Sequence, residues 1–185
     1  MQKGSESMSV INVYRADITT FRADAIVNAT DTHLKCDSGV SKAISKKAGR
    51  ERLRRALAVS GKLRVGKPIM TAGFDLPSRH IIHVAGPRWI DGKHSEIELL
   101  VKTYRSVLNL AYANDFHKVV FPLISTGAKH FPKDVAWECA LKTCCDFLES
   151  RKDLDMEIVF AVTDECGLEK FIRKAPDVAR PEMNW

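Results

Sequence analysis

Short runs of β-branched and aromatic residues alternate along this chain with longer segments whose apolar residues return every three or four positions. That alternation constrains the fold more than any other feature. Strand-like runs fall at residues 10–14, 25–28, 69–72, 81–84, 119–122 and 158–162. Helical patterns fall at 40–48, 50–60, 97–114, 133–151 and 168–174, with Leu100, Tyr104, Val107, Leu108 and Ala111 showing the spacing best. Pro132 before Lys133 fits a helix start, because proline is preorganised for the first turn and needs no hydrogen bond there. Strands interleaved with helices predict an α/β fold: a three-layer α/β/α sandwich around a mixed, largely parallel central sheet. Residues 1–8 and 175–185 read as N- and C-terminal tails, and 9–174 as one domain.

Composition narrows the class. With 185 residues, 45% of them hydrophobic, the chain can bury one sizeable core. No stretch approaches the roughly 20 apolar residues that span a bilayer, and no signal-peptide core stands at the N-terminus, so an intracellular monomer without membrane contact is expected. The five cysteines are odd in number and lack paired ligand spacing, which supports neither a disulfide framework nor a metal site. A net charge of +6 suits an anionic partner, yet the basic stretch from Lys46 to Arg55 has no interleaved aromatics. Nucleic-acid binding is compatible with that charge and is not indicated by it.

The segment 121–132, Phe-Pro-Leu-Ile-Ser-Thr-Gly-Ala-Lys-His-Phe-Pro, ends an apolar strand in a small, turn-prone loop. In open α/β sheets ligands sit outside the carboxyl ends of the strands, so Ser125, Thr126 and Gly127 are placed to hold one. Ser38 and Gly39 lead into the helical segment 40–48 and, taken alone, read as an ordinary turn before a helix. His83, in an apolar strand, reads as a satisfied core histidine.

Several segments occur in a fixed order: Ala16-Asp17-Ile18-Thr19, Asp24-Ala25-Ile26-Val27-Asn28-Ala29-Thr30-Asp31, Gly39-Val40-Ser41-Lys42-Ala43-Ile44, Ile81-Ile82-His83-Val84-Ala85-Gly86-Pro87, the Phe121–Gly127 run, and Val162-Thr163-Asp164-Glu165. Together they resemble the macro domain family of ADP-ribose binders, over roughly residues 10–174. The resemblance implies ADP-ribose as the ligand and no other cofactor. It implies Asp17 and Ile18 at adenine, with Thr163 and Asp164 near that pocket; Ser38, Gly39 and Val40 at the diphosphate; and Ser125, Thr126, Gly127, Ala128 and Phe131 around the distal ribose. Asn28, Asp31, Ser41, Lys129 and His130 complete the implied ligand-binding set. Lys35, Lys42 and Lys129 would add positive potential around the diphosphate.

The chain departs from the pattern of hydrolytic relatives at telling places. Ser41 stands where they carry an aspartate that activates water or orients the ribose, and a serine hydroxyl is a poor general base. Asp31 replaces an asparagine at the distal ribose, Asp37 replaces a glycine beside the diphosphate, and His130 replaces a glycine in the second loop. The expected function is therefore recognition of ADP-ribose, free or on a mono-ADP-ribosylated protein. The alternative is a hydrolase that removes ADP-ribose from modified proteins, or deacylates or dephosphorylates ADP-ribose derivatives, with Asp31, Asp37 or His130 as catalytic candidates.

Overall fold

The computed structural model describes residues 9–37, 39–151 and 153–163. Within them the strands are β1 (Val10–Arg15), β2 (Ala25–Thr30), β3 (Ile69–Ala72), β4 (His80–Ala85), β5 (Lys118–Phe121) and β6 (Glu157–Val162). The helices are α1 (Gly39–Ala48), α2 (Arg50–Ala58), α3 (Glu96–Ala113) and α4 (Lys133–Glu149), with a 3-10 turn at Ile18–Thr20. The helix expected at 168–174 and both expected tails lie outside the described residues.

The strands form one six-stranded sheet in the order β1-β6-β5-β2-β4-β3. Every neighbouring pair is parallel except β3 with β4, so the sheet is mixed and largely parallel as expected. Successive strand side chains point to opposite faces, and the core divides accordingly. Ile11, Val13, Val27, Val84, Val119, Phe121, Ile158 and Phe160 pack with α3 and α4. Their in-between neighbours Ile26, Ile81, Val120 and Val159 pack with α1, α2 and the 3-10 turn. Both faces are covered, which is why these strands read as near-continuous apolar runs. Because β1, β6, β5, β2 and β4 are parallel, their carboxyl ends all open on one side of the molecule, and the loops that leave them converge there.

Candidate functional site: a divided cleft at the carboxyl ends of the strands

Two adjoining cavities lie at that edge. The larger, about 640 Å³, is lined by Ala16, Asp17 and Ile18 after β1, by Ala161, Val162 and Thr163 at the end of β6, and by Ala43 and Lys133. The smaller, about 200 Å³, is lined by Ala29, Thr30 and Asp31 at the end of β2, by Cys36, Asp37 and Ser41, and by Gly86, Ser125, Ala128 and Lys129. Gly39, Val40, Pro122, Leu123 and Gly127 line both, so the first turn of α1 and the loop after β5 form the waist of one cleft. The unsatisfied N–H groups that begin a helix make that waist favourable for a phosphate. A Cβ on Gly39 or Gly127 would meet nothing within 4 Å. At Gly127 a side chain would only take up room in the cleft, whereas Gly39, with φ at 51°, also holds a left-handed backbone conformation that strains any residue with a Cβ.

The loop after β5 is held from below. Ile124 N–H donates to the buried Tyr104 Oη at 2.9 Å, and Thr126 Oγ1 donates to the Leu123 carbonyl at 2.9 Å. Phe131 N–H donates to the Ser125 carbonyl and His130 N–H to the Gly127 carbonyl, at 3.0 and 2.8 Å. Ser125 and His130 both adopt positive φ, 69° and 58°, a conformation that non-glycine residues hold only when their surroundings fix it. Ser125 sits directly on Gly86, where an added Cβ would lie 2.2 Å from Ser125 Oγ. The hydroxyls of Ser41 and Ser125 are buried in the walls of the smaller cavity and have no hydrogen-bond partner among the described residues.

Asp17 meets two demands at once. It caps the 3-10 turn, with Oδ1 accepting from Thr19 N–H at 2.9 Å and from Thr19 Oγ1 at 2.8 Å, and it also lines the larger cavity. Asp31 is tied down in the same way: its Oδ1 accepts from His33 N–H at 2.6 Å. It stands with Asp37 along the smaller cavity, where Lys129 supplies the opposite charge.

Several expected site residues are elsewhere. Phe131 is 2% exposed and meets Trp89 edge-on at 4.7 Å between ring centroids, so it is a core residue anchoring the loop instead of a wall beside the ribose. Asn28 is fully buried behind the lining, where its Nδ2 donates to His83 Nδ1 at 3.0 Å; its strand faces it into the sheet core. His130 lines neither cavity, because its positive φ turns the chain there. Lys35 and Lys42 line neither cavity but an adjoining groove, to which α2 also contributes. Ser38 and Asp164 lie outside the described residues.

Ile18, Gly39, Val40, Ser41, Asp31, Ser125, Thr126, Gly127, Ala128, Lys129 and Thr163 are brought together as cleft lining. Sequence reasoning missed Cys36, Gly86, Leu123 and Lys133. The abrupt end of an apolar run at Pro122-Leu123 could have flagged Leu123; Lys133 read only as a helix start.

His83 is the satisfied core histidine that the sequence suggested. Its Nδ1 faces Asn28 Nδ2 and its Nε2 faces Thr71 Oγ1 at 2.9 Å. Burial pushes its pKa down to about 4, so the ring is neutral at pH 7, accepting at Nδ1 and donating at Nε2. Away from the cleft, Asp91, His94 and Glu96 bring potential metal-ligating atoms together. The Glu96 carboxylate is already committed, however, taking the N–H groups of Ile90, Asp91 and Gly92 on Oε1 and of His94 on Oε2. It serves as the buried anion that closes the loop before α3. No helix among the described residues is long and apolar enough to cross a membrane.

Comparison with known proteins agrees with this geometry. The chain is 41% identical, over 169 residues, to a macro domain-containing protein of Mesorhizobium japonicum, covering 91% of this chain and 95% of that one. It is 41% identical, over 160 residues, to an O-acetyl-ADP-ribose deacetylase of Escherichia fergusonii, covering 85% of this chain and 90% of that one. Among solved structures it is similar to the Oceanobacillus iheyensis macrodomain with ADP, with a TM-score of 0.83, 30% identity, and coverage of 95% of this chain and 94% of that one. The Macro domain family model matches residues 27–140, from β2 through the loop after β5 and into α4, and the chain belongs to the macro domain family.

Proposed function

We propose that this chain binds ADP-ribose along the divided cleft and hydrolyses an acyl ester on its distal ribose. The observation that carries the reading is the waist: a helix start and a small-residue loop narrow the cleft between a larger chamber, assigned in this reading to adenosine, and a smaller, carboxylate-lined one, assigned to the distal ribose. The relatives named as O-acetyl-ADP-ribose deacetylases, at 41% and 39% identity, support the ester as the reacting group. In this reading the α1 N–H groups neutralise the diphosphate, and the buried hydroxyls of Ser41 and Ser125, without a hydrogen-bond partner among the described residues, bond to the ribose. Asp31 or Asp37 accepts the proton of the water that attacks the ester carbonyl, since a carboxylate can act as that base and the Ser41 hydroxyl cannot.

Recognition without turnover is the second reading, and Ser41 favours it, because it stands where hydrolytic relatives place an aspartate. One experiment separates the two. The protein is titrated calorimetrically with ADP-ribose, with ADP and AMP as controls, and incubated with O-acetyl-ADP-ribose while acetate release is followed. Binding with acetate release supports the hydrolase. Binding alone leaves the recognition reading, and no binding rejects both. A Gly39→Glu variant that bound ADP-ribose normally would show that the waist is not the diphosphate site.

A further inference from the structure

A third concavity, about 360 Å³, adjoins the smaller chamber. The two share Cys36 and Asp37 in their lining, so they lie side by side, and Asp37 is the one carboxylate among the groove's lining residues. Its floor is aliphatic, from Leu34, Leu53 and Leu57, and its rim carries Lys35, Lys42 and Arg50. Those three cations are exposed, and none has an ion-pair partner among the described residues. Arg54, on the same rim, is by contrast spent on Glu51, with bonds of 3.0 and 2.8 Å. Unpaired cations around an apolar floor suit a ligand that is both anionic and aliphatic. No aromatic side chain lines the groove, so the base stacking that single-stranded nucleic acids exploit is missing.

We infer that this groove docks the polypeptide to which the ADP-ribose is attached, and that it selects an acidic stretch interspersed with aliphatic residues. Carboxylates of the peptide pair with Lys35, Lys42 and Arg50 while an aliphatic side chain rests on Leu34, Leu53 and Leu57. An ADP-ribosylated protein is already the expected partner; what the groove adds is a preference for an acidic, aliphatic sequence next to the modified residue. This rests on the reading of the smaller chamber as the distal-ribose site.

The test compares three ligands by calorimetry: ADP-ribose alone, ADP-ribose joined through a stable alkoxyamine linkage to a peptide alternating glutamate and leucine, and the same conjugate with glutamine and serine in their place. The acidic conjugate is expected to bind about tenfold more tightly than ADP-ribose, because the peptide adds a second, tethered contact. A Lys42→Gln/Arg50→Gln variant should lose that gain while holding ADP-ribose to within about twofold, since rim charges act mainly on what passes over them. Equal affinity for the two conjugates, or a gain that survives the double substitution, overturns the proposal. A labelled RNA that binds in a Lys42- and Arg50-dependent manner while the acidic conjugate gains nothing also overturns it, in favour of a nucleic-acid surface. Failure of ADP-ribose itself to bind would sink the cleft reading; the free glutamate–leucine peptide, titrated as a further ligand, would then uphold the groove if it binds and loses that binding in the double variant, and would overturn it otherwise.

Discussion

Asn28 Nδ2 donates to His83 Nδ1 at 3.0 Å, across a pair of residues that the β2–β4 register sets directly opposite one another. The same Nδ2 lies 3.7 Å from Cys36 Sγ, in the lining of the smaller cavity. A neutral imidazole, fixed on its other side by Thr71, thus sets which way a buried amide faces and so what stands behind the site.

Acid should destabilise the fold through this ring. The folded pKa of about 4 lies below the ordinary 6.5, so the unfolded chain binds the extra proton between those values. The contribution is full above pH 6.5 and is lost as pH falls toward 4, for a total of about 3 kcal/mol. Urea denaturation at pH 7 and pH 4.5 checks it. A His83→Gln variant, which keeps a polar side chain but does not titrate, should show a visibly shallower loss.

Removing the Tyr104 hydroxyl should loosen the loop after β5. Tyr104→Phe leaves the Ile124 N–H without its partner in a buried setting, at a cost of about 1–3 kcal/mol. Ser125 follows Ile124 directly, so ADP-ribose affinity should fall together with the melting temperature. Thermal denaturation and calorimetry on one preparation test the link; stability lost with affinity unchanged would separate core from loop.

Two glycines of the cleft should respond oppositely. In Gly86→Ala the new Cβ meets Ser125 Oγ at 2.2 Å and Ile124 Cγ2 at 2.7 Å, and overpacking of this kind costs about 1–3 kcal/mol. In Gly127→Ala the Cβ meets nothing within 4 Å, so stability should hold to within about 0.5 kcal/mol while ADP-ribose binding weakens. Equal stability losses in the two variants would contradict the open waist.

Turnover of O-acetyl-ADP-ribose, if Asp31 or Asp37 supplies the base, should drop by about 100-fold or more in the corresponding alanine variant. Binding of the product should survive in that variant, because only the proton acceptor is lost. Full activity in both Asp31→Ala and Asp37→Ala would remove both carboxylates from the mechanism.

Deep acid should also release the loop before α3. Burial pushes the Glu96 carboxyl up, but the backbone N–H groups around it outweigh that and hold it at about 2, below the ordinary 4.5. Its stabilisation is therefore present above pH 4.5 and lost as pH falls toward 2. Hydrogen exchange of the Ile90, Asp91 and Gly92 amides across that range measures it.

Most of the secondary structure was legible in the sequence because its causes are local. Apolar periodicity marked each described strand and helix, and the misses were at ends. β2 runs on to Thr30 because Thr30 pairs with Ala85 on β4, and α3 begins one residue early at Glu96, whose carboxylate gathers the preceding loop. The motifs that carry the family resemblance were legible too, since a loop that must receive a phosphate is built from small residues in a short contiguous stretch. What the sequence left undecided is what depends on partners distant along the chain. The strand order, which brings β5 between β6 and β2, is set by pairings that span the whole domain. Phe131 was claimed for the core by Trp89, and Asn28 by His83, far along the chain. The outer groove exists only because α2 folds back along α1, so that Leu53 and Leu57 meet Leu34 beneath Lys42 and Arg50. Side-chain chemistry is written residue by residue, whereas which side chains share a chamber follows from packing, and only the folded chain supplies it.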